Sequence, residues 1–241
     1  NGYTGGRQTR WLIEQLRKYR DPRSGVDFIV VFFHHCPYCS GGPCSDGGDR
    51  YAWQPIFDHF DVDLVINGHN HLYERVYPMR NNVVQAHVPP GGTIMPAVQG
   101  TTYICTGGGG AGLAASATSG WYGPSGGGGL ATTGTGTPLL EVWGHQTARG
   151  GSGGTSSEPD PVTGWSAYRR GQYCHLVVDV TAPTFWGGMT SMHIRAIDPA
   201  QSGSTITSIT SEAVMDDVTL VRRSVTGPAR GHHHRPGPPA G

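Results

Sequence analysis

A mixed α/β fold is predicted for this chain, with a layered β-sheet flanked by a small number of helices. Within the first 71 residues, two amphipathic helical patterns alternate with two short apolar strand patterns. The 39 glycines and 18 prolines among 241 residues favour strands, turns and loops, which excludes an all-helical fold. A chain of this length can bury a sizeable hydrophobic core.

The two predicted helices cover residues 9–19 and 50–60, where apolar side chains recur every three or four residues. Pro55 is expected in the first turn of the second helix, where its missing N–H group costs no hydrogen bond. The apolar positions are Leu12, Leu16 and Tyr19 in the first helix, and Trp53, Ile56, Phe57 and Phe60 in the second.

Each of the two predicted strands ends at a group of histidines. Residues 27–33 read Asp-Phe-Ile-Val-Val-Phe-Phe, a β-prone run typical of a strand covered on both faces, and the pair His34 and His35 follows. Residues 62–66 form a second short buried strand, followed by Asn-Gly-His-Asn-His at 67–71. Functional residues of α/β layers collect beyond the carboxyl ends of the strands, so both groups are expected at one edge of a sheet.

Beyond residue 80, the pattern changes to short β-like stretches and glycine runs. Residues 101–106 are a predicted strand, and residues 113–172 are predicted to be a glycine-rich loop or insertion. Strands return in residues 173–226 and are expected to form an antiparallel sheet. Residues 227–241 are expected to be a disordered tail. The four predicted late strands are 173–180, 191–197, 205–209 and 218–221.

The charge balance argues against nucleic acid and membrane surfaces as partners. Lysine plus arginine and aspartate plus glutamate both number 17, so there is no excess of basic charge to hold phosphate backbones or anionic lipid. No apolar run approaches the roughly 20 residues that a membrane-spanning helix requires.

The histidines have the chemistry of a metal site. His69 and His71 are separated by one residue, and alternate residues of an extended chain share a face. His34 follows the neighbouring predicted strand, so three neutral imidazoles can converge at one sheet edge, as Zn, Fe or Mn sites require. The alternative is that all three are ordinary polar residues at strand ends.

Five cysteines leave one unpaired in any disulfide scheme. Cys36, Cys39 and Cys44 are closely spaced, and three interpretations of them stay open. They can form a Cys3His zinc knot with His34 or His35, a C-x-x-C redox couple, or a disulfide within the loop.

Two motifs resemble those of a known enzyme family. Residues 68–75, Gly-His-Asn-His-Leu-Tyr-Glu-Arg, resemble the G-H-x-H-x-Y-E-R signature of purple acid phosphatase-like members of the calcineurin-like metallophosphoesterases. Residues 30–38 resemble their strand-then-histidine motif. The resemblance implies a β-sandwich flanked by helices and incomplete at its amino end. Residues 1–112 would form the carboxy-terminal part of the catalytic layer, and residues 173–226 would complete the second sheet.

The resemblance also implies an activity, which is hydrolysis of small phosphate esters at two divalent or trivalent metal ions (Fe, Zn or Mn) bridged by an aspartate. His34 and His69 would bind one metal and His71 the other. Relatives commonly place a further histidine after the position of Tyr38, and residues 39–48 contain none. His35 is therefore the candidate catalytic acid, with a supporting role or metal ligation in place of His34 as alternatives.

The remaining residues of the signature are given structural roles. Asn70 and Tyr73 are expected to shape the edge of the site. Glu74 and Arg75 are interpreted as a structural ion pair or backbone clamp rather than as substrate contacts. By the same resemblance, the protein is expected to be secreted, at the cell surface or periplasmic.

The chain departs from the family pattern in its carboxylates. Family members supply aspartates and an asparagine from D-x-G or D-x-H, G-D-x-x-Y or G-D-x-x-D, and G-N-H-[DE] motifs, and none of these occurs upstream of His34. Three imidazoles without a bridging carboxylate would hold two metals poorly. The alternative hypothesis is therefore a noncatalytic structural or binding chain that retains the histidine half-site.

Overall fold

The protein is described by a computed structural model, which covers residues 6–38, 48–110, 165–170, 173–198 and 213–226. These residues confirm the predicted mixed α/β fold. In chain order, the elements are α1 (Arg7–Arg20), β1 (Val30–Phe33), α2 (Asp49–Ala52), α3 (Gln54–His59), β2 (Leu64–Asn67), β3 (Tyr73–Val76), β4 (Met79–Arg80), β5 (Val83–Val84), β6 (Gly92–Ile94), α4 (Pro96–Gln99), β7 (Thr102–Thr106), β8 (Ser166–Arg170), β9 (His175–Thr181), β10 (Met189–Asp198) and β11 (Ala213–Arg223).

The first sheet carries the histidine motifs. Its strand order is β1-β2-β7-β3-β8, in which β1, β2 and β7 are parallel and β3 is antiparallel to β7 and β8. Phe33 pairs with Asn67, which in turn pairs with Cys105, so the three parallel strands end at the same level. This register brings the segments that follow β1 and β2 to one edge of the sheet, as predicted.

The second sheet has the order β6-β11-β10-β9. Its three late strands are antiparallel, as predicted, while β6 joins β11 in a parallel arrangement. The second sheet therefore includes three residues from the segment expected to belong to the catalytic layer. Residues 205–209 and the predicted tail at 227–241 lie outside the described residues.

Two apolar clusters lie on opposite faces of the first sheet. One lies between this sheet and the helices and includes Leu12, Leu16, Phe57 and Val65. The other lies between the two sheets and includes Leu64. Adjacent residues of a strand point to opposite faces, so Leu64 and Val65 contribute to different clusters. The result is a layer of helices, a central sheet and a second sheet.

The predicted second helix is divided into α2 and α3, with Trp53 between them. Pro55 has no backbone N–H group to continue the hydrogen-bonding pattern of α2, and it occupies the first turn of α3 instead. The prediction of one continuous helix over residues 50–60 was therefore wrong, while the first helix was confirmed over a slightly longer range.

The prediction that the first strand is covered on both faces was also wrong. Among the described strands, β1 is an edge strand of the first sheet. The face that carries Phe32 is not covered, because Phe32 is 80% exposed. Val31 and Phe33 pack against the cluster beneath the helices, whereas Val30 and Phe32 point the other way. A continuous apolar run indicates a strand, but it does not specify whether neighbouring elements cover both faces.

A further difference concerns the end of the stretch predicted as a loop. Ser166–Arg170 form β8, which pairs with β3 and completes the first sheet. The loop prediction for residues 113–172 rested on glycine content, which is low in this last part. The rest of the stretch, up to residue 164, lies outside the described residues.

A buried aspartate connects the layers. The Asp63 carboxylate accepts hydrogen bonds from Arg20 at 2.7 Å, from Arg222 at 2.6 Å and from the backbone N–H of Ile29 at 2.8 Å. These groups belong to α1, to the end of β11 and to the residue before β1. Because two cations and an amide surround it, the charge of Asp63 is compensated in the interior.

Among the described helices, none combines the length and the apolar character that a membrane-spanning segment needs.

Candidate metal centre

His34 and His69 lie next to each other at the carboxyl edge of the first sheet. The backbone N–H of Gly68 donates to the carbonyl of His34 at 3.0 Å, which extends the parallel pairing of β1 and β2 by one residue. The imidazoles then approach until Nδ1 of His69 is 3.2 Å from Nε2 of His34. Two residues that are 35 positions apart in sequence thus share one site.

The separation of these two nitrogens is compatible with a shared metal ion. Two nitrogens bound to one tetrahedral cation at 2.0–2.1 Å would be roughly 3.3 Å apart. Neutral imidazole is a common ligand of zinc and iron. The same separation also permits a hydrogen bond between the two rings, with one ring as donor.

His35 completes a cluster of three rings. Its ring centroid is 5.0 Å from that of His69 and 5.4 Å from that of His34. The positive charge of His71, when protonated, also acts on His69. The structure therefore brings together the predicted catalytic residue His35 and two of the three predicted metal ligands, with the third close enough to influence the pKa of His69.

The backbone at His69 is left-handed, with φ of +55°. Histidine is among the non-glycine residues that adopt this conformation more often than most. Short hydrogen bonds follow, from the N–H of Asn70 to the carbonyl of Gly68 at 2.6 Å and from that of Leu72 to Asn70 at 2.8 Å. The loop is therefore bent, so the extended geometry from which His69 and His71 were predicted to share a face is not observed.

The histidines do not form a complete metal site by themselves. Among the described residues, no group of three or more histidine, cysteine, aspartate or glutamate side chains has the arrangement needed to hold a metal ion. The assignment of His34, His69 and His71 as ligands stays a prediction.

Both burial and neighbouring charge disfavour a proton on His69. Burial lowers the pKa of its imidazole, and the positive charges of His35, His34 and His71 lower it further. A neutral imidazole is the form that binds metals.

We expect His69 of the metal-free protein to titrate below the usual histidine pKa of about 6.5. His69 then binds a proton more readily in the unfolded chain than in the folded chain. The free energy of unfolding should therefore fall as the pH drops below about 6.5. NMR titration of the histidine ring protons measures this pKa directly, and a value at or above that of a model peptide would contradict the prediction.

Asn70 is fully buried within the histidine loop (residues 68–72), where this loop crosses closely over the segment that follows β7. A Cβ atom added to Gly107, just beyond β7, would lie only 2.1 Å from the carbonyl oxygen of Asn70. Gly107 therefore permits the contact on which the position of Asn70 and His71 depends. The amino-acid sequence did not identify this role, because glycines are frequent throughout that region.

Tyr73 and Arg75 point away from the histidines, into the space between the two sheets. Arg75 forms a bidentate ion pair with Asp216, with Nε–Oδ2 and Nη2–Oδ1 distances of 2.7 and 3.0 Å, and both side chains are 0% exposed. The Tyr73 hydroxyl donates to the same carboxylate at 2.7 Å, and Arg75 also donates to the carbonyl of Val88 at 3.1 Å. Burial would lower the pKa of Arg75, but the hydrogen bonds and charge of Asp216 raise it overall.

The partner of Arg75 is thus Asp216 rather than Glu74. Neighbouring residues of a strand point to opposite faces, so Glu74 and Arg75 cannot readily pair. Glu74 is buried and lies directly across from Arg169 of β8, which places opposite charges on one face of the antiparallel pair. Sequence analysis missed Asp216 and Arg169, because neither belongs to a recognisable motif.

The three closely spaced cysteines are only partly described. Cys36 is buried under the histidine loop, where its sulfur contacts the sulfur of Cys105. Cys39 and Cys44 lie outside the described residues, so the zinc knot, the C-x-x-C redox couple and the loop disulfide all stay predictions.

Comparison with known proteins supports the resemblance. Residues 3–73 match the calcineurin-like phosphoesterase family. Over 116 residues, the chain is 35% identical to an uncharacterized protein of Mycobacterium tuberculosis, a match that covers 45% of this chain and 22% of that protein. It is 31% identical over 87 residues to acid phosphatase type 7 of Homo sapiens, covering 31% of this chain and 20% of the human protein. The chain thus spans about a fifth of the length of these relatives.

The fold is also that of a purple acid phosphatase. The structure of the enzyme from yellow lupin (Lupinus luteus) seeds superposes with a TM-score of 0.51 at 17% sequence identity, covering 91% of this chain and 29% of the lupin chain. At this identity, the likeness concerns the fold alone. Together, the family match over residues 3–73, the partial matches to relatives and the fold support the resemblance of this chain to purple acid phosphatase-like metallophosphoesterases.

Proposed function

We propose that this chain supplies the histidine half of a binuclear metal centre that hydrolyses small phosphate esters. The observation that carries the proposal is the pair His34 and His69, whose nitrogens face each other at 3.2 Å at the carboxyl edge of a parallel sheet. The match of residues 3–73 to the calcineurin-like phosphoesterases supports the same chemistry.

In this proposal, His34 and His69 hold one metal ion and His71 holds the other. The ions are divalent or trivalent Fe, Zn or Mn. When bound, such a pair of ions lowers the pKa of a bound water and neutralises charge on the phosphoryl oxygens. The lowered pKa of His69 favours the neutral form of its ring, which ligation requires.

His35 is proposed to hold the proton that the leaving group receives. Its ring lies within the cluster, 5.0 Å from the centroid of His69, and an imidazole titrates in the pH range where proton transfer is useful. Asn70 and the bend at His69 position the loop, while Arg75 and Asp216 stabilise the strand that follows it.

The bridging aspartate and the other carboxylate ligands are proposed to come from polypeptide outside residues 1–241. Imidazoles alone do not compensate the charge of two cations, so the centre needs carboxylate ligands as well. Export to the cell surface, the periplasm or the medium is also proposed, following the family resemblance.

The first test is the intact mass of the polypeptide isolated from its natural source, compared with the 25.6 kDa calculated for this chain. We expect a clearly larger mass, with two equivalents of metal by elemental analysis and hydrolysis of p-nitrophenyl phosphate. In that polypeptide, the substitution His69→Ala should lower kcat/KM by about 100-fold or more, since even residues that only support metal ligands contribute 10–100-fold.

His193→Ala is the matched control, because this histidine lies on β10 in the second sheet, where it contacts Asp217 at 3.2 Å. It should retain metal content and activity. A native mass of 25.6 kDa, with no bound metal and no hydrolysis, would reject the enzyme and favour the noncatalytic structural or binding chain.

A further inference from the structure

Two buried cysteines meet beneath the histidine loop. Cys36 follows β1 by three residues, Cys105 lies in β7, and their sulfurs are 3.2 Å apart. The side chains are 1% and 2% exposed. Since β2 lies between β1 and β7, the two cysteines face each other across the end of an intervening strand.

The peptide that precedes His69 lies directly against this pair. Both sulfurs are 3.0 Å from the carbonyl oxygen of Gly68, and the sulfur of Cys105 is also 3.4 Å from the carbonyl of Asn70. Leu72 packs with the two cysteines into a small apolar cluster of its own. The two cysteines therefore contact the buried side of the histidine loop.

The two sulfurs are close enough to be candidates for a disulfide. A disulfide bond is 2.03–2.05 Å long, so the sulfurs have to move together by about 1.2 Å to form one. Cys174 provides a contrast, because it is also buried but contacts the hydroxyl of Thr106 at 3.4 Å. Burial alone therefore does not account for the pairing of Cys36 with Cys105.

We propose that Cys36 and Cys105 form a disulfide bond that holds the buried side of the histidine loop in position. A low-molecular-weight disulfide such as oxidised glutathione serves as the oxidant. One cysteine, as the thiolate, attacks the oxidant and releases one reduced glutathione, and the second cysteine then attacks the mixed disulfide and releases another. Two S–H bonds are lost, one S–S bond forms, and two electrons and two protons pass to the oxidant.

Because both sulfurs are buried, the exchange is restricted to particular states of the chain. An oxidant cannot reach side chains that are 1–2% exposed, so the bond forms while the chain folds or when this region opens. Once closed, it joins residues 69 positions apart and restricts the unfolded chain. Reduction should therefore lower the Tm by roughly 10 °C.

Peptide mapping without reduction tests the proposal. The chain is folded in a glutathione buffer, alkylated with iodoacetamide in denaturant and digested with trypsin. Cleavage after arginine gives peptides 24–50 and 81–149, and Cys105 is the only cysteine in the second. We expect these two peptides to be cross-linked, with fragmentation placing the bond at Cys36 rather than at Cys39 or Cys44.

The substitutions Cys36→Ser and Cys105→Ser should abolish the cross-link and the effect of reductant on Tm. Cys174→Ser, the matched control, should retain both. Fragmentation of the wild-type cross-linked peptide decides the question even if a variant fails to fold. Alkylation of Cys105 without prior reduction, or a cross-link from Cys105 to Cys39 or Cys44, would overturn the proposal.

Discussion

Replacing Gly107 with alanine should abolish the proposed metal binding at the histidine site and lower the free energy of unfolding by about 3 kcal/mol. The added Cβ atom would lie 2.1 Å from the carbonyl oxygen of Asn70 and 2.7 Å from its carbonyl carbon. Both are backbone atoms, which cannot rotate away as the end of a side chain can. Relief of the overlap has to move the Asn70–His71 peptide, and the neighbouring His69 with it.

Gly109→Ala is the matched control, two residues along the same segment. A Cβ atom at Gly109 would meet nothing within 4 Å, and its backbone is not in the left-handed region. Urea unfolding and metal content should therefore match the wild type. Equal stability of the two alanine variants would show that the close crossing at Asn70 does not constrain the loop.

The substitution Asp216→Ala should destabilise the protein by about 3–5 kcal/mol. It leaves the guanidinium of Arg75 buried without its counter-ion and removes the acceptor of the Tyr73 hydroxyl. Removing one member of a buried ion pair costs far more than the pair contributes, because the remaining charge has lost its hydration as well as its partner. Urea denaturation at pH 7 measures the loss.

An exposed ion pair on the second sheet supplies the control. Arg195 and Asp179 form a pair with an N–O distance of 2.5 Å, but their side chains are 34% and 59% exposed. Asp179→Ala should cost less than about 1 kcal/mol, since water replaces the lost contact. A loss of similar size at both positions would mean that burial does not distinguish the two pairs.

Gly107 and Asp216 both lie outside the two histidine motifs. Gly107 was one glycine among 39, and Asp216 precedes a predicted strand without any motif around it. Their roles depend on contacts with residues that are distant in sequence. Arg75 and Asp216 are 141 positions apart, and Cys36 and Cys105 are 69 apart.

The sequence by itself determined the elements that short-range patterns specify. Apolar residues at helical spacing predicted α1, and β-prone runs predicted β2 and β7 with small errors at their ends. Because parallel strands of a layer end at one edge, the sequence also predicted that His34 and His69 would meet there. These features follow from side-chain periodicity and strand propensity, which act over a few residues.

Only the tertiary structure decided which segments meet across long distances. It placed β6 beside β11, left one face of β1 exposed and gave Arg75 its partner in Asp216. It also bent the chain at His69, so the geometry of the histidine loop differs from that of an extended strand. Such pairings depend on how layers pack and on which buried charges compensate one another, and no local pattern encodes either.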